Sequence, residues 1–476
     1  MTAANPLAVL MPGFVGHTLP GWLEQRLKDG LGGVCLFGAN VESPAQLRAL
    51  TDAIHAANPH AIVAIDEEGG DVSRLYQAIG SPFPGNAVLG RLDDAAATQA
   101  VAARVGAELA AVGVDLTLAP DVDVNANPRN PVIGVRSFGA DPALVARHTE
   151  AWVRGVQSTG VSACAKHFPG HGDTAQDSHH ALPVVDAAAQ VLHERDLPPF
   201  VAAIDAGTAT VMTSHLMVPA LDSELPATFS RPILQGLLRA GLGFEGVVVT
   251  DALDMQGASA GRGIPAAAVL ALAGGSDLLC LGSVNPDEEI GEIAAAIAAA
   301  VASGALDADR LADAAARCAA LGSAHAERRA GSGEQEGPEI VDAAMVRRTF
   351  DVSREARDLL AADRPRVWLR LDPAANMAVG NAPWGPFAAG AEAAASLGAD
   401  GDPASFAAAA ADGALAIVVG KDNHRHPWAL AAIDAVRERG DAVVVDMGWP
   451  GDRAADVATY GASRLVGEAL IELIGQ

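Results

Sequence analysis

The chain has 476 residues, half of them apolar, and 58 Asp and Glu against 32 Lys and Arg give a formal charge of −26. Its length predicts two or three domains with a large core, and its acidity argues against nucleic acid or an anionic membrane as partner, since both need clustered Lys and Arg. Cys35, Cys164, Cys280 and Cys318 form no CxxC pair and sit in apolar or Ala-rich runs, so they read as buried thiols rather than a disulfide frame or a zinc site.

At the N-terminus no basic segment precedes Leu7-Ala8-Val9-Leu10-Met11, which is too short for a signal or a membrane span. A cytoplasmic protein is the expectation. From there short apolar strands alternate with amphipathic helices. Strands are predicted to begin at Ala8, Gly33, Ala61, Val114, Val161, Thr208, Gly246 and Asp277, with helical periodicity over 44–57, 95–112, 142–158, 192–206 and 231–240. Ser43 is a suitable cap for the first of these helices and Pro44 suits its first position. Eight such units predict an α/β fold, a (β/α)8 TIM-like barrel over residues 1–326. A doubly wound open sheet is the alternative. Polar residues favour the barrel: Asp66-Glu67-Glu68-Gly69-Gly70, Asp121, Lys166-His167, Ser214-His215 and Asp251 all follow predicted strand ends. A barrel gathers those ends at one mouth, whereas an open sheet spreads them along an edge.

Residues 327–339 are charged, carry Gly331-Ser332-Gly333 and Gly337-Pro338, and lack an apolar period, so 327–345 reads as a linker. A smaller α/β layer domain is predicted over 346–476, with a helix at 347–361, strands at 366–369, 415–419 and 442–445, and helices at 403–411, 429–439 and 463–474.

The stretch 166–179 is densest in titratable groups: Lys166, His167, His171, Asp173, Asp177 and His179, punctuated by Gly and Pro. In Asp177-Ser178-His179 a carboxylate can fix one imidazole tautomer while the other ring nitrogen exchanges a proton. The neighbouring His180 is an alternative on spacing alone. Asp251 follows the apolar run 247–249 and can act as nucleophile, metal ligand or substrate clamp. Asp66, Arg74, Arg136, Lys166 and His167 are of the types that grip hydroxyl groups by charge-assisted hydrogen bonds. A zinc site among His167, His171, Asp173, Asp177, His179 and His180 is disfavoured, because Pro169 and Gly170 break the helical spacing that an HExxH pair needs. No GxGxxG or phosphate loop is present, so no nucleotide is implied.

Together these motifs resemble the bacterial β-N-acetylglucosaminidases of glycoside hydrolase family 3. The likeness rests on Lys166-His167-Phe168-Pro169-Gly170-His171-Gly172 with Asp177-Ser178-His179, on Asp66-x-Glu68-Gly69-Gly70-x-Val72-x-Arg74, on 130–139 around Arg136, and on Thr250-Asp251-Ala252-Leu253-Asp254-Met255. Met212-Thr213-Ser214-His215 is similar as well, and the match spans about residues 5–325. The resemblance implies a retaining exo-acting enzyme that removes terminal GlcNAc from peptidoglycan or chitin fragments. Asp251 would be the nucleophile and His179 the acid/base, tuned by Asp177. Asp66, Arg74, Arg136, Lys166 and His167 would bind the sugar. The partner implied is a small carbohydrate, with no metal or organic cofactor. A neutral imidazole repels an incoming anion less than a carboxylate does, so a β-N-acetylglucosaminide or β-glucoside phosphorylase is the second expectation. An inactive sugar-binding protein is the third. Glu67 and Asp71 make the Asp66 loop more acidic than the family pattern. The glycines between Lys166 and Asp177 are expected to act as a hinge.

Overall fold

The computed structural model describes residues 4–175, 182–331, 341–375, 378–410, 413–451 and 455–475. Contacts group the chain into two units that interleave in sequence. The first comprises Met1–Glu68, Ala95–Pro131 and Ala140–Ile340; the second comprises Gly69–Asp94, Val132–Gly139 and Val341–Gln476. Two segments from the motif-rich part of the chain thus group by their contacts with its C-terminal portion.

In the first unit the strands are β1 (Leu10–Met11), β2 (Gly33–Leu36), β3 (Ile62–Ile65), β4 (Leu116–Thr117), β5 (Cys164–Phe168), β6 (Thr210–Thr213), β7 (Val247–Val249) and β8 (Leu279–Cys280). Each begins within three residues of its expected start. Parallel ladders join β1 to β8, β2 to β3 to β4, and β5 to β6 to β7. Parallel bridges Leu116↔Ser162 and Asp121↔Lys166 link the β4 and β5 segments, and Val249↔Leu278 links those of β7 and β8. The Cys35 amide donates to Pro12 O at 2.9 Å, next to β1. Alternate residues of a strand share a face, and one apolar cluster takes a residue from every one of these strands: Met11, Cys35, Ile62, Leu116, Cys164, Met212, Val247 and Cys280 are all in it. The other face is buried as well, at Val34, Val63, Ala165, Val211, Val248 and Leu279, as expected of parallel strands covered by helices.

The helix Pro44–Ala57 starts where expected, with Ser43 Oγ accepting from Gln46 N at 3.2 Å, and buries Leu47, Leu50, Thr51 and Ile54. The helix read over 192–206 is instead broken into Ala189–Val191, a wide-turned Leu192–Asp196 and Pro198–Asp205. Pro198 supplies no N–H to continue the preceding ladder. The helix Ala308–Gly331 runs into the segment read as linker. Glu327, Arg328 and Arg329 are good helix formers despite lacking an apolar period, and Arg329 pairs with the buried Asp115.

The second unit holds a six-stranded sheet in the order β11-β10-β12-β13-β14-β9. Its strands are β9 (Asp351–Val352), β10 (Arg366–Leu371), β11 (Ala393–Leu397), β12 (Leu415–Gly420), β13 (Ala442–Asp446) and β14 (Val457–Ala458), with only the β14–β9 pair antiparallel. The helix expected over 347–361 is divided: β9 intervenes, and Ser353 Oγ accepts from Ala356 N at 3.0 Å to start Arg354–Leu360.

Candidate active site

The buried strands β3 and β5 each run out into charged residues. Lys166, 3% exposed, sits on β5 with Nζ 2.7 Å from Asp66 Oδ1 and 2.8 Å from Glu68 Oε1. A buried ammonium needs paired charges and good hydrogen bonds to offset its desolvation, and two carboxylates just past β3 provide them. The next residue, His167, has Nδ1 2.8 Å from Asp123 Oδ2. A carboxylate in this setting accepts, so Nδ1 carries a proton. Asp123 is fully buried, and its Oδ1 accepts the His171 amide at 2.6 Å. Asp123 thus anchors the whole 166–171 turn, a role the sequence reading missed. The clue was the alternation Asp121-Val122-Asp123-Val124, which puts both carboxylates on one face.

Asp251 follows β7 and is half-buried, its Oδ1 accepting from Ala252 N at 2.8 Å. The buried Cys164 thiol reports on its surroundings. Burial pushes its pKa up to about 12; Thr210 and Lys166 draw it down, and the charges of Asp66 and Asp251 push it further up. Lys166 and Asp66 meet directly in the ion pair above, and Asp251 follows β7, which pairs with β6 and through it with β5. Burial, then the charge of Asp251, also raises the carboxyl of Asp254.

The two arginines of the expected set belong to the second unit. Arg74 donates to Ala378 O at 2.8 Å and to Val379 O at 3.4 Å, and Arg136 Nη1 donates to Val132 O at 3.2 Å. Asn86 Nδ2 holds the Arg136 carbonyl at 2.7 Å. Asp71 Oδ1 accepts from Ala462 N at 2.7 Å within the same unit, so this acidic departure from the family pattern ties 69–94 to the C-terminal portion. Its carboxyl is raised by burial and partly drawn back by Lys421. Glu67 is fully buried, its backbone tied to Thr117 Oγ1.

Asp177, His179 and His180 lie outside the described residues. The turn leading to them is packed. A Cβ on Gly172 would come within 1.7 Å of Val124 O, and one on Gly170, at φ +130°, within 2.8 Å of Asp196 Cβ. Both glycines are required for close approach, which is a different demand from the hinge expected of them. Asp173 is held by Arg195 at 2.8 Å. Among the described residues, Asp121, Asp123 and His167 bring donor atoms within 4.8 Å of one another, a spacing suited to a metal ion. The N–H bonds into Asp123 from His167 and His171 account for this cluster as a hydrogen-bonded support of the turn. Cys35, Cys164, Cys280 and Cys318 are all buried free thiols. Among the described residues no helix is long and apolar enough to cross a membrane.

Residues 21–321 match the model of the glycosyl hydrolase family 3 N terminal domain. Beta-hexosaminidase from Chromobacterium violaceum is 40% identical over 301 residues, 62% of this chain and 83% of that protein. Beta-hexosaminidase A from Pseudoalteromonas piscicida is 41% identical over 265 residues, 51% of this chain but only 44% of its relative's length. The solved glycoside hydrolase family 3 β-N-acetylglucosaminidase from Paenibacillus sp. str. FPU-7 aligns over 100% of this chain and 97% of its own, at 30% identity and a TM-score of 0.89. The chain thus belongs to glycosyl hydrolase family 3 and is a glycoside hydrolase.

Proposed function

We propose that the protein is a retaining exo-β-N-acetylglucosaminidase. In this reading Asp251 attacks the anomeric carbon, and His179, oriented by Asp177, protonates the departing oxygen. The resulting glycosyl-enzyme is hydrolysed by a water that His179 deprotonates, so the proton returns to the catalyst. Lys166, held between Asp66 and Glu68, presents a charge-rich pair at the sugar hydroxyls, and His167 stands beside it on Asp123. Arg74 and Arg136 complete the proposed sugar-binding set.

The observation that carries the reading is the buried ion cluster of Lys166 with Asp66 and Glu68, which brings the residues past β3 against β5. It supports a closed (β/α)8 barrel with these strand ends at one mouth, as do the parallel pairings and the apolar cluster to which all eight strands contribute. Residues 346–476, joined through 327–345, are proposed as a smaller α/β domain with a structural role. The named relatives act in the same sense: they are β-hexosaminidases and a β-N-acetylglucosaminidase. Substrates such as peptidoglycan or chitin fragments and a cytoplasmic location are part of the proposal.

The test is release of p-nitrophenol from the β-GlcNAc and β-glucoside aryl glycosides, with and without phosphate. Faster release of the GlcNAc glycoside, with free GlcNAc as product, is expected. A sugar 1-phosphate product would replace hydrolysis by phosphorolysis, and no release from either glycoside would favour a binding protein.

A further inference from the structure

We infer that His215 is a positioning residue that sets the attack geometry of Asp251; this rests on Asp251 being the nucleophile. His215 lies just beyond β6 and is fully buried. Its Nε2 is 3.0 Å from Ala252 O. A carbonyl only accepts, so Nε2 carries the proton and donates across to the chain that follows β7. The opposite ring nitrogen, Nδ1, meets Thr228 Oγ1 at 2.9 Å. Thr228 is itself fully buried, with Oγ1 2.8 Å from Ser214 O and 2.9 Å from Thr213 Oγ1. The imidazole is therefore a strut with both ends fixed.

What the strut holds is the peptide between Ala252 and Leu253. Its carbonyl receives the His215 proton, and its N–H donates to Cys280 O at 3.0 Å. One peptide is thus gripped from the β6 side and the β8 side at once. Thr250 is tied to β8 too, its Oγ1 accepting from Cys280 N at 3.0 Å. The Asp251 carboxylate sits between these clamps and takes the Ala252 N–H at 2.8 Å. That N–H is one residue from the gripped peptide, so releasing its carbonyl removes one of the two restraints on the segment whose donor orients the reacting oxygen. Displacement of a reacting atom by about 1 Å costs on the order of 100-fold in rate.

The experiment compares full-length His215→Ala, His215→Gln and Thr228→Val with the wild type. Steady-state hydrolysis of p-nitrophenyl β-GlcNAc is measured, together with the rate at which a 5-fluoro N-acetylglucosaminyl fluoride forms a covalent adduct, read by intact mass. His215→Ala should lower kcat and the trapping rate by the same factor, about 10- to 100-fold, with KM within about threefold. His215→Gln keeps an N–H donor and should recover at least part of the loss. Thr228→Val releases the ring without opening a large cavity and should show a smaller loss of the same kind; it carries the test if His215→Ala does not fold. Wild-type kcat and trapping in the soluble variants, or a loss confined to KM, would overturn the inference. Mapping of the adduct separates the two layers. A label on a carboxyl other than Asp251 sinks the nucleophile reading, whereas a label on Asp251 formed at undiminished rate in the variants sinks only the role of His215.

Discussion

Lys166 illustrates how a side chain proposed for sugar binding can also bear on stability. Its ammonium is almost wholly buried, and Asp66 and Glu68 lie within 2.8 Å of it. Replacing one partner of such a cluster leaves the others desolvated without compensation. Lys166→Met should therefore destabilise the protein by about 3–5 kcal/mol, seen as a lowered denaturation midpoint, and should also weaken sugar binding. Asp251 is the contrasting case, half-buried and bonded locally to Ala252 N. Asp251→Ala should cut turnover by at least about 10³-fold while leaving the unfolding midpoint close to wild type. Retained turnover in a folded Asp251→Ala protein would remove it as nucleophile. His179→Ala should slow the hydrolysis of poor leaving groups far more than that of activated aryl glycosides, because only the former need a proton. Equal losses on both would argue against a general acid at that position.

The turn after β5 is the element on which most of the proposed chemistry depends, and it is held from beneath. Asp123 takes N–H groups from His167 and His171, Asn130 Nδ2 donates to His171 O at 2.8 Å, and Gly172 lies directly against the Val124 carbonyl. Gly172→Ala would have to displace backbone, not a flexible side-chain tip. It should cost more than about 2 kcal/mol and lower activity in step with the loss of the turn, which a thermal melt beside an assay would register. The same packing explains why the motif is dense in glycine where an exposed loop would not need it. At the level of elements, the strand starts and the capped helix Pro44–Ala57 were readable because apolar runs and cap residues are local signals. The short strands β9 and β14 and the Ala-rich β11 were not, because Ala393-Ala394-Ala395-Ser396-Leu397 lacks β-branched residues and owes its conformation to pairing with β10.

For the molecule as a whole, one buried cluster of charges, around Asp115 and His325, makes its own contribution to the response to acid. Asp115 is 2% exposed and bonds His55 Nε2 at 2.9 Å, with His325 and Arg329 nearby. Burial opposes its ionisation, but the bond and charge of His55 together with His325 and Arg329 outweigh it and leave its pKa lowered. Burial, with Arg328 and Arg329 adding to it against the pull of Asp115, depresses His325 to about 4. In the unfolded chain that imidazole titrates near 6.5, so at this site the unfolded state binds more protons between the two values, and the contribution of His325 to stability falls as pH drops from about 6.5 to 4. The span corresponds to roughly 3 kcal/mol. Below it, protonation of Asp115 removes the stability its lowered pKa contributes above the ordinary carboxylate range. His325→Gln keeps a hydrogen-bonding group toward Ser162 and should lose less melting temperature than the wild type as pH falls from 6.5 to 4. An unchanged slope would place the acid sensitivity elsewhere.

The resemblance of the motifs, in their order and spacing, was enough to name the family, and Asp66, Lys166, His167 and Asp251 were nominated because each follows an apolar run that reads as a strand. Apolar runs were also enough to find the eight strands of the first unit seen among the described residues, since burial on both faces writes itself as continuous apolar sequence. Local sequence did not reveal that Gly69–Asp94 and Val132–Gly139 group with Val341–Gln476, carrying Arg74 and Arg136 with them. Nor did it assign Asp123 beneath the 166–171 turn or His215 behind Asp251. Those roles arise from hydrogen bonds between residues 44 and 37 positions apart. Such contacts have no local pattern: they come into being only when strands distant in sequence are brought side by side.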